Sequence, residues 1–169
     1  MNNKKPFVAI LMGSDSDLPT MQATIDVLDS FGVPKEVKIT SAHRTPAATH
    51  AYVKDAEARG CAVFIAAAGL AAHLAGTVAG LTVRPVIGVP MDAALNGLDA
   101  LLSTVQMPGG IPVGCVAIGK AGAKNAGYLA TQILATADAD VADKLRKERA
   151  DNAAAIQKKD EELQKKLTS

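Results

Sequence analysis

Six consecutive residues, Ser41-Ala42-His43-Arg44-Thr45-Pro46, hold most of the chemistry this chain could do. They set a hydroxyl, an imidazole, a fixed cation, a second hydroxyl and a helix-starting proline side by side. Histidine is the side chain best suited to giving and taking a proton near neutral pH, so His43 is the candidate acid and base. Arg44 offers a planar fork that binds two phosphate oxygens at once, with a surface ion pair as the competing reading. The run Glu36 to Thr40 (EVKIT) alternates like a strand. The six residues therefore fall at a strand's carboxyl end, where open α/β sheets hold ligands.

Two more groups stand out. Gly13-Ser14-Asp15-Ser16-Asp17 lies between a strand-like run and a helix-like run. Backbone N–H groups at a helix start favour an anion, and Ser14 and Ser16 add hydroxyl donors. The stretch has neither the ending of a Walker loop nor the spacing of a dinucleotide fingerprint. Asp17 argues against a pure phosphate cradle and suits sugar hydroxyls; helix capping alone is the competing reading. The other group is Gly69 to Gly76 (GLAAHLAG), which is expected to start a small-residue helix. Small residues there let a ligand come close to the backbone. His73 falls in the expected first turn, as a site residue or as a core histidine bonded to a carbonyl. His50, mid-helix among polar neighbours, is given no role. The three histidines are far apart in sequence and no carboxylate cluster joins them, so no metal site is expected. There is no GxSxG elbow of a serine hydrolase.

The elements that must position these groups can be read in order. Phe7 to Met12 (FVAILM) is apolar throughout, as in a strand buried on both faces. Leu18-Pro19 opens a helix with Asp17 as N-cap, and Gly32 ends it. Thr45 and Pro46 start a second helix that runs to about Arg59, with Ala48, Tyr52 and Ala56 inward. Further strands are expected at Ala62 to Ala67, Pro85 to Val89 and Val113 to Ile118. Helices are expected from Gly69 to about Leu81, near Leu98 to Thr104, and from Ala121 to Ala137. Gln106 to Pro112 reads as a flexible lid or a rigid connection. Strand and helix alternate five times, which implies an α/β fold with a parallel sheet covered by helices on both faces. From Asp138 the chain becomes charged, with a thin apolar stripe: Val141, Leu145, Ile156, Leu163, Leu167. One catalytic domain over 1–137 and a helical extension over 138–169 are expected. The extension docks on a neighbouring subunit or frays in solvent.

Composition narrows the function. Apolar residues make up 49% of the 169, but with three Phe, two Tyr and no Trp. The core must be built of Ala, Val, Ile and Leu, and a flavin carrier would lack its usual stacking rings. A net charge of +1 gives no basic field for nucleic acid. Cys61 and Cys115 lack metal-ligand spacing and read as small buried hydrophobes, which fits a reducing compartment. Met1 to Pro6 has no signal-peptide core, and no apolar run is long enough for a membrane helix.

Five segments in order resemble the PurE family of purine biosynthesis. They are MGSDSD at Met12 to Asp17, SAHRTP at Ser41 to Pro46, GLAAHLAG at Gly69 to Gly76, PVIGVPM at Pro85 to Met91, and QMPGGIPVGCVAIGKAGAKNA at Gln106 to Ala126. The segment carrying His73 looks like the mutase class; the class that carboxylates aminoimidazole ribonucleotide directly replaces it. Leu70 and Ala75 depart from the Gly and Pro that many mutases have. The resemblance implies a three-layer, flavodoxin-like, doubly wound parallel sheet. It implies a cytoplasmic enzyme that moves a carboxylate from N5 to C4 of an imidazole ribonucleotide, without ATP, cofactor or metal. The histidine matching His43 moves protons. Ser14, Asp17 and Arg44 match residues that bind the ribose phosphate, and Ser41, Gly69 and His73 complete the implied substrate-binding set. The implied partners are the nucleotide, sister subunits in a homo-octamer joined through C-terminal helices, and transiently the ATP-dependent synthetase that makes the carbamate. A direct carboxylase and a non-catalytic nucleotide-binding module are the alternatives.

Overall fold

The computed structural model describes residues 5–168; Met1–Lys4, most of the polar N-terminal segment, and Ser169 lie outside them. The sheet is built around β1 (Phe7–Met12), in which every residue is buried. Its side chains alternate between two cores. Val8, Ile10 and Met12 enter one, and Phe7, Ala9 and Leu11 enter the other. A strand flanked by helices on both faces has no polar side, which explains the unbroken apolar run. Four more strands complete a parallel sheet: β2 (Lys35–Ile39), β3 (Cys61–Ala68), β4 (Val86–Pro90) and β5 (Gly114–Cys115). Their order is β2-β1-β3-β4-β5, the flavodoxin-like doubly wound order.

Helices α1 (Leu18–Phe31) and α5 (Gly119–Ala135) cover one face, and α2 (Pro46–Ala58) and α3 (Leu74–Ala79) cover the other. Helix α4 (Leu98–Val105) packs on β4 and β5. The small residues of α5 allow it to press on α1. A Cβ at Gly127 would stand 2.9 Å from the Val27 Cβ and 3.1 Å from the Thr24 carbonyl oxygen. Thr24 Oγ1 donates to the Ala123 carbonyl at 2.6 Å across the same seam. Three layers built this closely need Ala and Gly rather than large rings, as the composition indicates.

Some expectations are corrected. Strand β5 is two residues long, not Val113 to Ile118. It is an edge strand, and its ladder with β4 covers only Ile87–Gly114 and Gly88–Cys115. On α2, Ala48 is exposed, and Thr49, Val53 and Ala56 face inward with Tyr52 half-buried. Thr49 is drawn in because its hydroxyl meets Thr40 Oγ1 at 2.7 Å. Helix α3 starts at Leu74, so Gly69 to His73 is loop. The left-handed backbone of Leu70 (φ 57°) is incompatible with a helical start there. Asp17 precedes α1 without capping it by a side-chain bond; a short 3-10 turn, Asp15–Asp17, intervenes.

Helix α6 (Ala139–Leu167) is 29 residues long, with Asp138 Oδ1 accepting from the Val141 N–H at 3.2 Å. Its stripe divides in two. Leu145 is buried in the core with Val141 packed beside it, and Tyr128 donates to Glu148 Oε1 at 2.6 Å. Ile156, Leu163 and Leu167 are exposed. The first turns of α6 thus belong to this chain's own core. Cys61 is buried and unpaired, and burial pushes its thiol up to about 11; Cys115 is half-buried, and burial raises its thiol too. No helix among the described residues is long and apolar enough to cross a membrane.

Candidate active site

Parallel strands bring the loops after β1, β2, β3 and β4 to one edge of the sheet. The chain leaves β1 for β2 on one side and then crosses to β3 on the other, so a crevice opens at the end of β1. The strand ends are stitched together before the loops diverge. Gly13 N–H donates to the Ala67 carbonyl at 3.1 Å, Thr40 N–H to Met12 at 2.9 Å, and Met91 N–H to Ala68 at 2.9 Å. The crevice is a cavity of about 690 Å³ whose lining includes Ser14, Asp17, Ser41, His43, Arg44, Gly69 and His73. Every residue singled out in the sequence as a site candidate reaches it. A larger groove of about 880 Å³ opens elsewhere, lined by Phe31, Val33, Ile133, Leu134 and the start of α6. It holds no histidine or arginine, so size alone does not mark the site.

The decisive contact is between two histidines 30 positions apart. His43 Nε2 lies 2.8 Å from His73 Nδ1, with the rings edge to face at 79° and their centres 4.9 Å apart. His43 follows β2 and His73 follows β3, and these strands flank β1, so the rings meet over its end. One of the two facing nitrogens must carry a hydrogen and the other a lone pair. A proton on the pair is therefore shared between defined positions. Two histidines without a third ligand do not make a metal centre, and no group of three metal-ligating side chains occurs among the described residues.

The other groups surround this pair. Arg44 Nη2 donates to the Gly13 carbonyl at 3.0 Å, which leans the guanidinium from the second loop onto the first. Among the described residues Arg44 joins no ion pair, so its charge is not neutralised by a carboxylate. Ser14 and Asp17 form a capping box: the Ser14 N–H donates to Asp17 Oδ2 at 3.2 Å, and Ser14 Oγ accepts from the Ser16 N–H at 3.3 Å. The capping reading thus holds for the 3-10 turn, with both side chains still lining the cavity. Burial pushes the Asp17 carboxyl above its ordinary range; the Ser14 N–H opposes this and the charge of Asp15 adds to it. Ser41 Oγ accepts from the Arg44 N–H at 3.1 Å and so shapes the loop. At Gly69 a Cβ would stand 3.2 Å from the Ala93 Cβ and 3.3 Å from the Met91 Cβ, so glycine lets the third and fourth loops close up. His50 is exposed on α2 and does not line the cavity.

The sequence reading missed the fourth loop's share, Asp92 and Ala93, and Thr20 on α1. Asp92 follows β4 just as Ser41 follows β2, so the rule that ligands sit at carboxyl ends of strands pointed to it as well.

The description AIR carboxylase names the family model that matches residues 7–155. The chain belongs to this family. It is 53% identical to the N5-carboxyaminoimidazole ribonucleotide mutase of Pyrococcus horikoshii over 97% of this chain and 92% of that one. With the mutase of the same name from Bacillus subtilis it shares 51% identity over 94% of this chain and 99% of the relative. The crystal structure of Treponema denticola PurE superposes with a TM-score of 0.86 at 32% identity, covering 94% of this chain and 99% of that one. The PurE resemblance and the flavodoxin-like fold are thus borne out.

Proposed function

We propose that this chain is an N5-carboxyaminoimidazole ribonucleotide mutase of purine biosynthesis. The carrying observation is the His43–His73 contact at 2.8 Å beside Arg44, which joins no ion pair among the described residues, in a chain whose relatives of that name match nearly its whole length. His43 gives a proton to the carbamate nitrogen, and the protonated carbamate releases CO2. The cavity keeps the CO2 beside C4, which attacks it. The same imidazole then removes the C4 proton. The ribose phosphate binds through Arg44 and Ser14, with Asp17 accepting from ribose hydroxyls. Ser41 and Gly69 shape the loops against the substrate, and His73 holds one tautomer of His43. The reaction draws on no ATP, metal or cofactor.

The test is turnover of fresh N5-carboxyaminoimidazole ribonucleotide without ATP, beside a reaction of aminoimidazole ribonucleotide with excess bicarbonate. Efficient C4-carboxylated product from the carbamate at low bicarbonate is expected. Product only in the second reaction would make the protein a direct carboxylase, and product in neither would leave the fold without this function.

Residues 1–137 are the catalytic domain on this reading, and the outer half of α6 packs on a neighbouring copy within a homo-octamer. The exposed Ile156, Leu163 and Leu167 support this, since a solvated helix gains nothing from an apolar stripe. Ile156→Asp is expected to lower the assembly size in light scattering. Two unpaired thiols fit a cytoplasmic enzyme, where a synthetase could hand over the labile carbamate directly.

A further inference from the structure

The loop that delivers His73 holds a conformation its own residues disfavour. Leu70 sits at φ 57°, where the Cβ of an L-residue is crowded. Its side chain is 58% exposed, so packing does not keep it there. Such a residue persists only when its surroundings over-determine it. The loop is bounded by the packed Gly69 and the buried Ala72 and Leu74, and between them one side chain on another element reaches the backbone. The Ala72 N–H donates to Ser103 Oγ at 3.1 Å, and Ser103 Oγ also lies 3.3 Å from the Leu70 carbonyl oxygen. The hydroxyl hydrogen has its shortest acceptor at the Asp99 carbonyl, 2.6 Å away within α4. Ser103 is thereby fixed with its oxygen turned to the loop. Its contacts fall at the carbonyl of the strained residue and at the N–H two residues on, and the next residue after Ala72 is His73. Helix α4 is itself seated by buried Thr104, against which Gly88 of β4 leaves no room for a Cβ.

We propose that Ser103 is a positioning residue. Through its bond from the Ala72 N–H it fixes the end of the loop so that the His73 imidazole meets His43. It does not line the cavity, and no sequence motif singles it out. The proposal rests on the reading of His43 and His73 as the proton-handling pair.

The experiment compares wild type, Ser103→Ala, and the double variant Ser103→Ala with Leu70→Gly. Alanine is a good helix former, so α4 persists in both variants. Two readouts are taken: steady-state turnover of the carbamate, and nitrogen-15 imidazole spectra of the histidines, which report tautomers without turnover. In Ser103→Ala, kcat is expected to fall about tenfold with KM changed less than about threefold, because misplacement of a reacting group costs rate rather than binding. The tautomer signature of the His43–His73 pair should be lost with it. Glycine enters the left-handed region freely, so the double variant should regain at least about threefold in kcat and recover the signature. An Ser103→Ala kcat within about twofold of wild type, an unchanged imidazole signature, or no recovery in the double variant would each overturn the proposal. If wild type fails to turn over the carbamate, the proposed function falls, and the imidazole spectra still decide on Ser103.

Discussion

The two loops that bring histidines to the site are held in opposite ways. Around His43 the bonds that shape the loop backbone are local. The Ser41 N–H donates to Thr45 Oγ1 at 2.9 Å, the Thr45 N–H to the Ser41 carbonyl at 2.9 Å, and the Arg44 N–H to Ser41 Oγ at 3.1 Å. Buried Thr40 and Thr49 bond beneath them at 2.7 Å. Around His73 one local bond, from the His73 N–H to the Ala71 carbonyl at 2.8 Å, is joined by a restraint on Ala72 from Ser103, more than two elements later in the chain, and Leu70 two residues before has a strained backbone. Ser, Thr and Pro within ten residues fold the first loop by their own short-range chemistry. The second loop is only as well placed as the helix that docks on it. One histidine of the pair is thus held mainly by its own neighbours, and the other depends in part on a helix from later in the chain.

The largest effect is expected at the histidine pair itself. His43→Asn leaves both loops intact and is expected to lower turnover by about 10² to 10⁴ while nucleotide binding persists. Near wild-type activity, measured with saturating carbamate, would take His43 out of the mechanism. Next is Arg44→Ala: if Arg44 binds the phosphate as proposed, losing its charge-assisted bonds should raise KM about 10- to 100-fold with kcat less affected. An unchanged KM would contradict its assignment.

Thr49→Val tests whether the first loop is self-supporting. Loss of the buried hydroxyl network should cost about 1–2 kcal/mol in urea unfolding. Amide exchange should quicken at Ser41 to Thr45 and stay unchanged at Ala72; equal loosening of both loops would mean that the first loop is not held by its own neighbours.

The smallest effect concerns Asp17. Its carboxyl titrates above the ordinary range in the folded protein, so the folded state holds the proton more tightly than the unfolded chain does. Wild-type stability should then fall as pH rises from the ordinary carboxylate value through the raised one, and stay lower above it. Asp17→Asn keeps an oxygen for the Ser14 N–H and has no such proton. Melts from about pH 3.5 to 7 should show the variant gaining on wild type as pH rises. A gap that does not vary with pH would argue against the raised carboxyl.

What could be read in the sequence was what neighbours in the chain decide. The unbroken apolar run of β1, the Ser41 to Pro46 loop, the Gly13 to Asp17 turn and the charged tail all announce themselves through contacts a few residues long. Repeated strand–helix alternation then left a parallel sheet as the simple solution, and a parallel sheet gathers its loops at one end. That is why every candidate site residue reached one cavity.

The tertiary structure alone decided which distant groups touch. Nothing in the spacing of His43 and His73 says that their rings meet; that follows from β2 and β3 lying on either side of β1. Sequence likewise could not divide the α6 stripe into a buried Leu145 and an exposed Ile156, because that division depends on which turns of α6 meet the core. Nor could it place Leu70 in a left-handed backbone: local preference argues against that conformation, and the helix whose Ser103 meets the same loop comes from later in the chain.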